Sequence, residues 1–223
     1  MKMTLIELLK YKKEKKALAE EVEFPVANPL GIKFNSLISI PSIHVPNYTG
    51  DAIEVDCKLK LIEEYTREID DEVFTFTDYV LSYREGSEFN LKLRIYGEAA
   101  LLLTPYESMP FSKEMDEVLE DTERTGKLDV TENDTLLEYF RVNGAHHRWY
   151  ATIKSVTPAD VDSNGKVTKE STSHLCNNSL EYWDFERDNG GVTEYIIVEM
   201  KSVDGWITMR KGTLIDPQLI SVI

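Results

Sequence analysis

The sequence predicts an α+β fold, predominantly antiparallel β-sheet, with an N-terminal helix and one acidic helix in the middle of the chain. Apolar and polar residues alternate with a period of two over much of the sequence, which is typical of half-buried strands. Asn-Gly and Asp-Gly dipeptides, which favour tight hairpin turns, punctuate the C-terminal part. Two other stretches carry apolar residues at helical spacing.

The N-terminal helix is predicted over residues 3–22. Several leucines form a short apolar face, and a run of lysines interrupts it. Residues 1–16 contain six lysines and two glutamates, a net charge of +4. This helix can pack on its own domain, or it can contact a partner or an anionic membrane surface through residues 1–22. Two prolines and a glycine in "FPVANPLG" then end it.

Residues 88–95 give a clear strand signal. The apolar positions Phe89, Leu91, Leu93 and Ile95 alternate with Glu88, Asn90, Lys92 and Arg94. This alternation predicts one face in the core and the other in water. The same pattern over 54–61 places Cys57 in the core as a small hydrophobic residue. We expect Cys57 and Cys176 to be unpaired, because two cysteines do not make a disulfide scaffold in so long a chain.

The acidic helix is predicted over residues 111–122. Ser112 can cap its first turn, and the acidic residues that follow suit the positive end of the helix dipole. The predicted organisation is an N-terminal basic helix (1–23) and a β-rich body (24–223), which can divide into sub-domains 24–110 and 126–223 joined by helix 111–125.

The chain has a net charge of −15, and residues 107–138 alone carry eleven acidic and three basic residues. Nucleic-acid binding requires the opposite sign, so DNA and RNA are excluded as expected partners. No apolar run reaches the roughly 20 residues of a membrane helix. We expect a cytoplasmic protein that binds protein partners or self-associates.

The segment "NGAHHRWYATI" is the strongest candidate for a site. His146, His147 and Arg148 cluster there, so a hydrolase-type or metal-dependent enzyme is one hypothesis. The alternative is a turn at Asn143-Gly144 followed by a strand that alternates from Trp149 onward. On a strand, neighbouring side chains point to opposite faces, so the two imidazoles would not converge on one ligand. We favour the turn and strand.

Two sequence patterns resemble metal sites, and neither is complete. Zinc would need more ligands than the histidine pair, and "STSHLC" supplies only a weak His174/Cys176 pair. Asp160, Asp162 and Asn164 resemble the opening of a calcium loop, but serine stands where the closing glutamate should be. We therefore expect a polar turn with at most weak calcium binding, and no cofactor.

No phosphate loop and no hydrolase or protease motif is present. The three tryptophans lie in the C-terminal strands, where most large aromatic residues are core residues. Any that share an exposed face would be binding anchors, because aromatic residues dominate interface hot spots. The candidate binding residues are Trp149, Trp183, Trp206 and Arg148.

Several segments, "NPLGIKFNSLISI", "LLEYFRV", "HRWYATI", "LEYWDFER", "TEYIIVEM" and "GWITMRKGTLID", resemble the YjfK-like family of bacterial proteins in a consistent order over residues 27–217. The resemblance implies no catalytic residues. It does imply a binding or accessory role, because members occur in membrane-stress-type gene neighbourhoods. The basic N-terminal helix and the Asn- and Asp-rich turns depart from the family and would suit a phage-encoded virion component. The predicted function is therefore a non-enzymatic binding, accessory or structural one, through protein–protein contacts.

Overall fold

The computed structural model describes residues 26–34, 36–45, 50–69, 72–83, 90–161, 178–201 and 205–223, so the predicted N-terminal helix lies outside the described residues. Within them the chain forms twelve strands and one α-helix, with short 3-10 turns between some of them. The elements are β1 (Leu37–Pro41), β2 (Glu54–Ile69), β3 (Glu72–Ser82), β4 (Asn90–Tyr96), β5 (Ala99–Pro110), α1 (Lys113–Thr125), β6 (Lys127–Glu132), β7 (Thr135–Arg141), β8 (Trp149–Val156), β9 (Asn178–Asn189), β10 (Val192–Lys201), β11 (Trp206–Ile215) and β12 (Ser221–Val222).

Eight of the described strands close into an antiparallel barrel, in the order β2-β3-β4-β5-β11-β10-β9-β8 and back to β2. Strand β8 closes the ring because it pairs with β9 on one edge and with residues 62–66 of β2 on the other. At 16 residues, β2 is long enough to pair with β1 first and with β8 afterwards. The irregularity between Leu59 and Leu61 separates the two pairings; such bulges bend a strand and allow a sheet to close.

The prediction of an α+β fold is wrong. The described residues are nearly all antiparallel strands, which form a closed barrel with one short helix. The prediction failed because alternation was taken to mean that one face of each strand meets water. Lys92 is only 3% exposed and Arg94 is 0% exposed. In a closed barrel the second face turns inward, so charged residues can alternate with apolar ones on a strand that is buried on both sides.

Two apolar layers cover the outside of the barrel. The first packs β2–β5 against the segment before β2, and its buried residues include Val26, Ile32, Ile38, Ile40, Cys57, Leu81, Leu91 and Leu93. The second packs β9–β11 against α1, β6 and β7, and its buried residues include Leu119, Leu128, Tyr139, Trp183, Ile196 and Met209. The predicted core positions of Cys57 and of the apolar residues in β4 are confirmed. Burial raises the pKa of the Cys57 thiol to about 12.

The predicted mid-chain helix is present as α1. The Ser112 hydroxyl accepts a hydrogen bond from the backbone N–H of Met115 at 3.3 Å, which caps the first turn as expected. Gly126 ends the helix at φ +69°, a conformation that glycine adopts at low cost. Leu119 and Thr122 form the buried side of the helix.

The strands before α1 in the sequence and the strands after it belong to one barrel. Four of its strands, β2–β5, precede α1, and four, β8–β11, follow it. The two sets meet where β5 pairs with β11 and where β2 pairs with β8. The predicted segments 24–110 and 126–223 therefore share a single closed sheet.

Strand β8, which closes the ring, allows a test of the barrel. Ile153 is buried against the interior, whereas its neighbour Thr152 is exposed on the opposite face. We expect Ile153→Ala to lower the free energy of unfolding by about 2–5 kcal/mol, because it leaves a cavity. Thr152→Ala should change it by less than about 1 kcal/mol. Urea denaturation measures both, and equal losses would contradict the alternation across β8.

Candidate functional site

The segment "AHHRWYATI" begins outside the strand. A short 3-10 turn, Val142–Gly144, follows β7, and β8 starts only at Trp149. From there the burial of the side chains alternates as predicted: Ala151 and Ile153 are buried, and Tyr150 is exposed. The predicted turn and strand are therefore confirmed.

The two imidazoles diverge, as expected, although both precede the strand. Nδ1 of His146 lies 3.3 Å from the backbone oxygen of Glu123, near the end of α1. The His147 ring instead packs edge-on against Trp149, with 4.5 Å between ring centroids. Because each ring has its own partner within the protein, the pair does not form a common ligand set.

Arg148 links helix α1 to the barrel. Its Nε donates to Oε1 of Glu123 at 2.9 Å, and its Nη1 donates to Oε2 of Glu181 at 3.1 Å. The guanidinium lies 5.1 Å from the ring centroid of Trp183 on β9, and the indole N–H of Trp183 also donates to Glu123, at 3.0 Å. One arginine thus connects the helix to β9 through two carboxylates and an aromatic ring.

The predicted binding residues occupy different places. Trp183 is fully buried, and half-buried Trp149 donates its indole N–H to Asp184 at 2.9 Å. Trp206 is 48% exposed at one end of the barrel. The structure therefore brings Arg148 together with Trp183 but separates these two from Trp206.

The candidate calcium turn is described only at its start. Oδ2 of Asp160 accepts hydrogen bonds from the backbone N–H of Thr157 at 2.6 Å and from its hydroxyl at 2.7 Å. Asp160 thereby caps a 3-10 turn. Asp162, Asn164, His174 and Cys176 lie outside the described residues. Among the described residues, no group of three or more His, Cys, Asp or Glu is arranged to hold a metal ion.

A buried charge cluster inside the barrel was missed by sequence reasoning. Arg94 makes two hydrogen bonds to Asp78, at 2.7 and 2.8 Å, and a third to Glu199 at 2.6 Å. The ammonium of Lys92 donates to Glu199 at 2.9 Å. Lys201 donates to Glu63 at 2.7 Å, so strand β10 is joined across the interior to both β4 and β2. The only sequence signal was the alternating Lys92 and Arg94, which also fits a wet face.

The cluster favours the ionised forms of Glu199 and Glu63. Burial alone would raise the pKa of Glu199, but the positive charges of Lys92, Arg94 and Arg210 outweigh burial and lower that pKa well below its usual range. Burial likewise opposes ionisation of Glu63, and Lys92 and Lys201 again lower the pKa on balance. The interior is therefore a set of fixed ion pairs.

A groove separates β7 from β9 beyond the point where the two strands pair. They pair only at Phe140–Glu186 and Arg141–Phe185, so residues 135–139 and 187–189 have a strand neighbour on one side only within the described residues. The groove has a volume of about 640 Å³. Its lining residues are Leu136, Leu137, Glu138, Phe140, Glu186, Arg187, Asp188 and Thr193.

We found no match to a protein-family model, to a curated protein or to a solved structure. No helix in the described part of the chain is long and apolar enough to cross a membrane.

The structural role of Arg148 is testable by alanine substitution. Arg148→Ala should lower the free energy of unfolding by about 1–3 kcal/mol, because it leaves the half-buried carboxylates of Glu123 and Glu181 without their cation. His146→Ala and His147→Ala, which remove exposed rings, should each cost less than about 1 kcal/mol. Urea denaturation provides the measurement. A fully stable Arg148→Ala protein would contradict this role.

The buried cluster predicts a pH dependence. The pKa of Glu199 is lower in the folded protein than the usual value of about 4.3 in an unfolded chain. Its stabilising contribution is therefore complete above that value and is lost as the pH falls below it. We expect the free energy of unfolding to decrease from about pH 5 to pH 2, and less steeply in Glu199→Gln.

Glu199→Gln should also lower stability at pH 7 by about 3–5 kcal/mol, because it leaves buried cations without their counterion. Glu117→Gln, at a side chain that is 63% exposed on α1, is the matched control and should change neither quantity appreciably. Denaturant titrations from pH 7 to pH 2 measure both the free energy of unfolding at pH 7 and its decrease at lower pH. Parallel profiles for the wild type and Glu199→Gln would contradict the role of Glu199.

Proposed function

We propose that the protein is a non-enzymatic binding or accessory module that acts through protein–protein contacts, and that the groove between β7 and β9 is its contact surface. The observation that supports this most directly is the combination of open strand edges and exposed apolar side chains at one place. Leu136 is 59% exposed and Phe140 is 53% exposed on the rim of the groove.

Open strand edges favour an extended partner segment. Among the described residues these edges have no second strand neighbour, so their backbone groups can accept an added strand, and apolar side chains of that strand can contact Leu136 and Phe140. The charged residues of the groove define the partner further. Glu138, Glu186 and Asp188 line it, whereas Arg187, the one arginine among the described lining residues, already pairs with Glu194. A partner segment with alternating apolar residues and lysine or arginine between them would complement this surface.

The same proposal covers the location of the protein and the type of assembly it joins. A cytoplasmic module of YjfK-like type, or a virion component if the chain is phage-encoded, would each use such a surface for assembly. Self-association is a specific form of the proposal, because residues 1–16 of a second copy carry a net charge of +4 and several leucines. Both features would complement the acidic and apolar lining of the groove.

A double substitution tests the groove. Leu136→Asp with Phe140→Asp should keep the protein folded, since both side chains are exposed, but should weaken partner binding at least about tenfold. Val73→Asp, at a side chain that is 64% exposed on β3, is the control and should bind normally.

Affinity purification from the native host with mass spectrometry identifies proteins that the wild type and Val73→Asp retain and the groove variant loses. Sedimentation velocity of the full chain measures self-association with the same three proteins. The proposal fails if the groove variant keeps every partner of the wild type and the same oligomeric state.

A further inference from the structure

A small cavity lies at the end of the barrel where β10 ends and β11 begins. Its volume is about 190 Å³. Its lining residues are Lys92, Glu199, Lys201, Trp206, Thr208 and Arg210, from β4, β10 and β11. The cavity is distinct from the groove between β7 and β9, and it adjoins the buried charge cluster.

The walls of the cavity are positively charged. Among the described residues, three cations line it, and Glu199 is the only acidic lining residue. Glu199 is already neutralised by Lys92 at 2.9 Å and Arg94 at 2.6 Å. Among the described residues, the connected cluster contains four cations, including Lys201 and Arg210, and three carboxylates. One positive charge is therefore in excess, in a chain whose net charge is −15.

Arg210 is held more weakly by the protein than the other cations of the cluster. Its Nε lies 3.4 Å from Glu199 and its Nη1 lies 3.3 Å from the backbone oxygen of Asn90. By contrast, Arg94 binds Glu199 at 2.6 Å. Long hydrogen bonds are weak, so the guanidinium of Arg210 keeps donor capacity for a ligand.

The other lining groups can complete an anion site. The side chain of Lys201 is 29% exposed, and its ammonium has three donor hydrogens, of which Glu63 takes one. Thr208 places a hydroxyl in the wall, and Trp206, 48% exposed, contributes an aromatic ring. A guanidinium, an ammonium and a hydroxyl around one cavity suit the oxygens of an anion, and an indole can stack on a planar group.

We propose that this cavity binds a small molecule through an oxyanion, a phosphate or a carboxylate, held by Arg210 and Lys201 beside Trp206. The excess positive charge provides the attraction, and the ion pair with Glu63 at 2.7 Å positions the ammonium of Lys201. The site is independent of partner binding at the groove, and either proposal can fail without the other.

Titration of the full-length protein with inorganic phosphate and with benzoate tests the proposal. Ionic strength is held constant with sodium chloride, so that general screening does not mimic binding. We expect a saturable change in tryptophan fluorescence and a rise in Tm with at least one of the two anions. Binding of phosphate but not of benzoate identifies a phosphate ligand. Binding of benzoate identifies a carboxylate ligand next to the indole ring.

Matched variants locate the binding. Lys201→Gln and Arg210→Gln should each raise the Kd about tenfold or more, since each removes a charge-assisted hydrogen bond. Lys154→Gln and Arg124→Gln remove the same charges at exposed positions and should leave the Kd unchanged. Trp206→Phe should remove most of the fluorescence change while the rise in Tm persists.

Failure of both anions to bind at millimolar concentration overturns the proposal. So does binding that Lys201→Gln and Arg210→Gln leave unaffected, because the anion would then occupy another place. If Arg210→Gln does not fold, Lys201→Gln, whose cation is partly exposed, decides the question by itself.

Discussion

The interior of the barrel depends on one fully buried cation, Arg94. A guanidinium without water is strongly destabilising unless carboxylates and hydrogen bonds replace its hydration. Asp78 on the neighbouring strand β3 and Glu199 on β10, across the interior, supply them. The Phe76 ring lies 4.5 Å from the guanidinium carbon. Asp78 faces Arg94 in the β3-β4 pairing itself, whereas Glu199 reaches it only when the sheet closes, so this second carboxylate favours the closed ring over alternative pairings of the same strands.

The same constraint explains why much of the apolar core lies outside the ring. With charges and aromatic rings filling much of the interior, the outward faces of the strands carry many of the large aliphatic residues and need covers of their own. The segment before β2 covers one side and the helix with β6 and β7 covers the other. Arg148 and Trp183 hold the second cover in place by sharing Glu123. His146 and His147 are neighbours of this attachment.

The proposed binding surfaces lie where these layers stop. The groove opens where β7 leaves the edge of β9, and the cavity opens where the ion pairs reach one end of the ring. Both adjoin hydrogen-bonded strands of the barrel, and a preformed surface lowers the entropic cost of ordering a bound partner or ligand. Neither requires the His146–Arg148 segment, which the protein uses to join its own elements.

The sequence by itself determined the local features. Ser112 marked the start of the helix, the period-two pattern located strands within 54–61 and 88–95, and the small apolar Cys57 was correctly assigned to the core. Only the tertiary structure decided the closure of the barrel and the burial of Lys92 and Arg94. Alternation gives the faces of a strand but not what each face meets. The carboxylates that make those charges tolerable, Asp78 and Glu199, lie far apart in the chain and become neighbours only through folding.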